Sequence, residues 1–317
     1  MKLLGLLILS FICLFAFPYL GRGDVNFSSD EGLFILNQLR FPRVMMAFVV
    51  GAGLSLAGLI FQGLFRNSLA TPYTLGVSSG AAFMVSLWIK LGLSFSFYWF
   101  NGLAIAGFLG ALMSITIVMT LASALKRFEP STMILAGVGQ GMFFSSAVLL
   151  LQYFGNVFEV NRMVQWTFGG VEVIGYSSVL KILPVLLIVS LLAWINAGAL
   201  NVLTLDEDLA ISRGINTKRL RKFLFFVTSI LVGFIIAEAG PIAFIGLLAP
   251  HAMKKIFKFD YRQLIPASLL FGGIALSVCD LISRIVVSNI EIPVGIITAF
   301  LGGPFFLFIL IKGREES

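Results

Sequence analysis

Residues that could do chemistry are few in this chain of 317, and their spacing argues against catalysis. A nucleophile needs a base beside it, and with one histidine, His251, the choice is narrow; Ser131 and His251 are candidates only in that both exist. Cys13 and Cys279 lie far apart in apolar runs, so neither a disulfide nor a metal site is expected, and a lone histidine leaves no multi-histidine ligand set. No Gly-x-x-x-x-Gly-Lys-Ser/Thr loop occurs, so the chain does not hydrolyse ATP by that route. Gly51-Ala-Gly53 and Gly137-Val-Gly139 sit inside apolar stretches with no preceding strand, and carry no nucleotide signature. What remains is a set of ionisable residues in or near apolar segments: Glu159, Glu172, Glu238, Asp280, Arg284 and Glu291. Charge at membrane depth is costly and marks function by default. Asp280 and Arg284 are four apart, hence on one helix face, and either pair with each other or serve transport. Glu238, just before Ala239-Gly240-Pro241, is expected at the outer surface.

The elements that must position these residues follow from composition. Hydrophobic residues make up 59% of the chain and charged ones 12%, against about 45–50% and about 25% in soluble domains. Runs such as 44–60 and 180–195 carry almost no charge over a spanning length. The apolar runs are continuous, without the alternation of a transmembrane barrel. The expectation is an all-α polytopic membrane protein, 1–317 forming a single transmembrane domain. A soluble enzyme, a secreted disulfide scaffold and a disordered chain are excluded.

Ten helices are predicted, at about 3–20, 44–64, 72–91, 100–124, 131–154, 180–200, 222–238, 241–257, 264–286 and 293–311. The first follows Met1-Lys2 and resembles a signal peptide, but its apolar core of about 18 residues exceeds the usual length, so it reads as a retained helix. Residues 156–175 are too polar to span and are expected as a short surface or re-entrant element. Gly76/Gly80, Gly137/Gly141 and Gly102/Ala106/Gly110, at four-residue spacing, let helix backbones approach closely.

With the N-terminus cytoplasmic, fifteen of the 22 basic residues fall inside and seven outside, Arg22, Arg40, Arg43, Lys90, Arg162, Lys181 and Arg284 being the seven. That bias fits the positive-inside rule and accounts for the net charge of +7 without nucleic acid. The longest inner connection, 204–222, opens with acids after Thr204, a candidate N-cap for a helix over 205–212. Gly214 can end that helix, and Asn216-Thr217 can start a second. Two short helices on this face make a docking surface for a soluble partner.

A resemblance sharpens the picture. Arg40-Phe-Pro-Arg43, Gly51-Ala-Gly-Leu-Ser-Leu-Ala-Gly58, Gln62, Arg66-Asn-Ser-Leu-Ala-Thr-Pro72 and Leu75-Gly-Val-Ser-Ser-Gly-Ala81 occur in that order. Leu135-Ala-Gly-Val138, Trp166-Thr-Phe-Gly-Gly170 and Gly240-Pro-Ile-Ala-Phe-Ile-Gly-Leu-Leu-Ala-Pro-His251 come next, then Asp280-Leu-Ile-Ser-Arg284, Glu291-Ile-Pro-Val-Gly295 and Leu301-Gly-Gly-Pro304. Together they resemble the permease family of iron-chelate and cobalamin ABC importers. The resemblance implies the type II importer architecture. In it, about ten helices per subunit pair with a second permease subunit, homo- or heterodimeric, around a central path. Two ATPase subunits, which carry ATP and Mg, attach at the cytoplasmic face, and a substrate-binding protein docks outside. The chain itself needs no cofactor, and it sits in a bacterial or archaeal cytoplasmic (inner) membrane.

The resemblance also assigns roles. Arg40, Arg43 and Arg284 correspond to binding-protein docking arginines, suited to charge-assisted pairing with carboxylates. Asn67, Leu69, Pro130 and Ser131 align with the cytoplasmic gate. There Asn67-Ser68-Leu69 stands where Asn-Pro-Leu is usual, and Pro130-Ser131 where Thr-Ser is. ATPase coupling falls on Leu205, Asp206, Glu207, Ala210 and Gly214, with Asp206 in place of the usual glycine and Arg213-Gly214 in place of Leu-Gly. The cargo expected is a bulky chelate, a ferric siderophore first, with haem, cobalamin or molybdate as alternatives. The rival class is an ion-coupled secondary transporter using Asp280, Arg284 or Glu238 as a relay.

Overall fold

The computed structural model describes residues 2–21, 29–96, 101–124, 130–257, 260–287 and 291–315, with side chains as far as 306. Of the basic residues counted by side, Arg22, Lys126, Arg127 and Lys258 lie outside the described residues. Every described element is helical: α1 Lys2–Ala16, α2 Asp30–Phe34, a π-helical turn Ile35–Arg40, α3 Phe41–Leu64, α4 Val77–Lys90, α5 Gly102–Ala124 and α6 Pro130–Tyr153. They are followed by α7 Val157–Thr167, α8 Ser177–Ile195, α9 Ala197–Leu205, α10 Glu207–Ser212, α11 Thr217–Ala239, α12 Ile245–Phe257, α13 Tyr261–Ile285 and α14 Val294–Glu315.

Each of the ten predicted spans meets a helix, but the count of ten crossings is not reached by length and composition. Six described stretches are long and apolar enough to cross: Asp30–Leu64, Gly102–Ala124, Pro130–Tyr153, Ser177–Ile195, Thr217–Ala239 and Tyr261–Ile285. α1, α4 and α12 are shorter, at 15, 14 and 13 residues. The shortfall at α4 and α12 has a local cause. Before α4, Thr71 and Thr74 exchange side-chain to backbone hydrogen bonds and Gly76 takes a left-handed φ of 76°, so residues 71–76 form turns. Before α12, Gly240 and Phe244 both have φ of 67°, which breaks the chain after α11. Irregular backbone at membrane depth is tolerated where it is buried in protein or lines a cavity, and these two breaks do both.

α3 is the axis of the fold. It is almost wholly buried, with Met46, Leu56, Ile60 and Phe61 at zero exposure. α13 runs antiparallel to it: Tyr261 at the start of α13 reaches Leu59 O, and Asp280 near its end reaches Arg43. The crossings depend on missing side chains. A Cβ on Gly51 would strike Gly272 O of α13, and one on Gly58 would strike Gly246 O of α12. The predicted small-residue spacing holds elsewhere too, since Gly80 packs on Gly110 of α5 and Gly137 lies against Leu75.

The polar stretch 156–175 contains α7, a surface helix as expected. Its start is a capping box, with Asn156 Oδ1 accepting from Glu159 N at 2.9 Å and Glu159 Oε2 accepting from Asn156 N at 3.1 Å. Lys90 Nζ, 3.0 Å from Glu159 Oε2, ties α7 to the end of α4.

Candidate functional site: groove, ion cluster and coupling segment

Three places concentrate polar structure. At the middle of the molecule, the two irregular segments line one groove. One part, about 420 Å³, is bounded by Leu69, Thr71, Tyr73, Ile242, Phe244 and Leu247. A second part of about 670 Å³, reaching Gln152 and Phe168, shares Tyr73, Ser78, Ala243 and Ala299 with it as lining residues. Its polar groups are hydroxyls and one amide, and no lining residue is charged.

The breaks in the helices are held by buried amides that sequence reasoning passed over or gave no role. Gln140 Nε2 donates to Leu75 O (3.1 Å) and to Ser114 Oγ (2.6 Å), while Ser114 Oγ donates to Gly76 O at 2.9 Å. Gln62 Nε2 reaches Gly246 O and Leu247 O at 3.4 Å, at the start of α12. Carbonyls without a helical donor must find one when water is excluded: Gln140 and Ser114 serve Leu75 and Gly76 in the turn before α4, and Gln62 serves Gly246, whose i+4 donor is missing because residue 250 is proline. A glutamine inside an apolar run was the available signal.

At the end of the bundle where α3 begins, Asp280 is fully buried between two arginines. Arg43 Nε donates to Asp280 Oδ1 at 2.8 Å, and Arg284 Nε lies 3.1 Å from Asp280 Oδ2. The second contact is an ion pair whose angle is too poor for a hydrogen bond. Arg43 Nη1 also donates to Glu291 Oε2 (2.6 Å), with Glu172 farther off at 3.9 Å. The predicted Asp280–Arg284 pair therefore exists, but it is half of a larger cluster. Arg40 Nη1 donates to Pro18 O and Arg284 Nη1 to Leu20 O, so both bind the stretch that follows α1. The three expected docking arginines thus share one end, with Arg43 and Arg284 mostly buried. Glu238 at the same end is not a freely exposed group: it is 8% exposed, pairs with Lys181 at 2.8 Å and accepts from Ser178 Oγ at 2.6 Å.

At the opposite end lies the 204–222 segment. Thr204 is not the N-cap; it is the penultimate residue of α9, and its hydroxyl donates back to Leu200 O at 2.9 Å. Asp206 caps α10, accepting from Leu209 N at 2.9 Å. Extended backbone at Asp206 starts the helix there, and its acidic side chain suits the positive helix end. Gly214 does end α10, with a left-handed φ of 78°. Asn216 caps the next helix, accepting from Arg219 N at 3.0 Å, but that helix is the long α11 rather than a second short one. Leu205 is exposed, Ala210 is buried, and Glu207 meets Arg221 Nη2 at 3.2 Å. Arg221 is itself buried and donates from Nε to Leu64 O at 3.1 Å.

The expected gate residues fall on two elements near this end. Asn67 Oδ1 accepts from Leu69 N at 2.8 Å, so the asparagine side chain fixes a turn where proline is usual. Leu69, 44% exposed, forms the inner end of the groove. Pro130 and Ser131 open α6, and no hydrogen bond among the described residues joins them to Asn67 or Leu69.

The sequence profile of the FecCD transport family matches residues 3–312. The chain belongs to the FecCD transport family. It is a multi-pass permease subunit of an ABC transporter, a transport component and not an enzyme. The vitamin B12 import system permease BtuC of Photorhabdus laumondii subsp. laumondii is 34% identical over 294 residues, 91% of this chain and 85% of that one. The hemin transport system permease HmuU of Yersinia pestis is 34% identical over 293 residues, 92% and 87% of the two chains. Among solved structures, a metal-chelate type ABC transporter in an inward-facing conformation superposes with a TM-score of 0.86 at 30% identity, covering 98% of both chains.

Proposed function

We propose that this permease forms half of the translocation path for a ferric siderophore, in the cytoplasmic membrane, with the α10 end facing the cytoplasm. The observation that carries the reading is the groove between residues 71–76 and 240–244. Walls of hydroxyl, aromatic and aliphatic groups with no charge suit a bulky chelate whose ligand shell hides the metal, and offer no site where a bare ion would bind tightly. Held weakly along its length, such a cargo is released rather than trapped. A second permease subunit, identical or related, closes the open side.

The power source is a pair of ATPase subunits on the cytoplasmic face, where Leu205, Asp206, Glu207, Ala210 and Gly214 present the short helix α10. Movement of α10 reaches the rest of the chain through Glu207, Arg221 and the last carbonyls of α3. The far end of α3 carries Arg43, so one buried helix links the ATPase side to the binding-protein side. Arg40, Arg43 and Arg284 receive carboxylates of the binding protein, which at Arg43 compete with Glu172 and Glu291. Leu69, Asn67, Pro130 and Ser131 control the inner mouth. Asp280 stays locked between arginines, which suits a hinge point and not an ion relay.

The test is uptake into proteoliposomes containing this chain, its ATPase and a loaded binding protein. The panel is a ferric siderophore, haem, cobalamin and molybdate. Accumulation of the siderophore that requires internal ATP and the binding protein is expected. Preference for another member reassigns the cargo; accumulation driven by an ion gradient without ATPase sinks the importer mechanism.

A further inference from the structure

A cavity of about 710 Å³ lies beside the coupling segment, lined by Arg66, His251, Lys254, Lys255 and the polar groups of Asn67, Ser68, Thr204 and Tyr261. It is separate from the groove and shares with it none of its lining residues. Three of its residues are lysine or arginine, and among the described residues none of the three forms an ion pair. Lys254 Nζ donates to Gln62 Oε1 at 2.7 Å, Arg66 Nη2 reaches Leu205 O at 3.4 Å, and the shielded His251 Nε2 has no hydrogen-bond partner. The nearby acids are engaged elsewhere: Glu207 with Arg221, Asp206 at its cap and Asp260 with Asn201. Arg66 is also held in a left-handed backbone conformation, φ 47°.

We propose that this cavity binds a phosphate group, either on an anionic phospholipid headgroup or as a soluble anion. One carboxylate would offset one of the three cations. A phosphate brings greater charge and several acceptor oxygens, which the hydroxyls and amide of the rim can also reach. The volume suits a headgroup. Position supports the lipid form, since Lys2 Nζ donates to Ile256 O at 3.1 Å on the same helix end, where basic pockets between spans meet headgroups. The proposal is independent of which chelate is carried.

The test is native mass spectrometry of the delipidated permease, with its ATPase and without it, titrated with phosphatidylglycerol or phosphatidylcholine and with inorganic phosphate as competitor. Wild type is expected to retain phosphatidylglycerol preferentially, and the double variant R66Q/K255Q to bind it about thirtyfold more weakly. Both residues are exposed, so the variant should keep the wild-type melting temperature; K254Q provides a second, more buried probe. Displacement by millimolar phosphate identifies the soluble anion as ligand, and resistance to it identifies the headgroup. The proposal is overturned by equal binding of the two lipids with no phosphate binding, by an affinity unchanged in both variants, or by loss of binding whenever the ATPase is attached. The last outcome would make the cavity part of the ATPase interface.

Discussion

Arg43 Nε donates to Asp280 Oδ1 at 2.8 Å, joining the first turn of α3 to the last turns of α13 across 237 positions of sequence. Asp280 has no exposure, and a second arginine, Arg284, approaches its other oxygen. Among the described residues, this acid is the one charge that both guanidinium groups touch.

Removing that acid is therefore worse than removing one arginine. Asp280→Ala should cost about 3–5 kcal/mol, the range for breaking a buried pair. Arg43→Ala, which leaves Arg284 beside the acid, should cost less. Unfolding temperatures in detergent rank the two; equal temperatures would show that the cluster does not hold α3 to α13.

Gly58 and Gly139 provide a contrast within one residue type. A side chain at Gly58 collides with the Gly246 carbonyl, whereas one at Gly139 meets nothing within 4 Å. Gly58→Val should abolish folded protein on size-exclusion chromatography. Gly139→Ala should fold normally and gain up to about 1 kcal/mol, since alanine is the better helix former inside α6.

At α10 the cap is testable apart from charge. Asp206→Ala should weaken the short helix by about 1 kcal/mol, and Asp206→Ser should restore most of it. If α10 transmits force, binding-protein stimulation of ATPase activity falls in the alanine variant and recovers in the serine one. Stimulation equal in all three would remove Asp206 from the coupling path.

Asp260 predicts a pH dependence. Hydrogen bonds from the Asn201 amide (3.0 Å) and the Arg262 backbone N–H (3.1 Å) hold its carboxyl below the usual range. A depressed folded pKa gives stability that is fully present above the unfolded value, about 3.9, and lost as pH falls through the folded one. The melting temperature of wild type should therefore drop below about pH 4 more steeply than that of Asp260→Asn. Parallel curves would exclude the link.

Most helices were legible because a membrane leaves a chain few options: apolar length, caps and small-residue spacing mark α3, α5, α6, α8, α11 and α13 within a few residues. The starts of α4 and α12 were not legible: the predicted helices begin at 72 and 241, but residues 72–76 form turns whose carbonyls at Leu75 and Gly76 are met by Gln140 and Ser114 from distant segments, and α12 begins only at Ile245, after Phe244 takes a left-handed φ. The cap moved from Thr204 to Asp206 for a related reason: α9 continues α8 past Asn196, so the helix ran on through Thr204 before it could start anew.

By itself the sequence determined the helical membrane class, the ABC permease resemblance and the i,i+4 pair of Asp280 and Arg284. These are local or compositional properties, written in periodicity and spacing. The tertiary structure decided that Asp280 belongs equally to Arg43, that Glu238 is buried against Lys181, and that two broken helices share one uncharged groove. Each depends on contacts between segments tens to hundreds of residues apart. In an apolar environment such contacts are chosen by which chain reaches an unsatisfied polar group, and no local pattern encodes that.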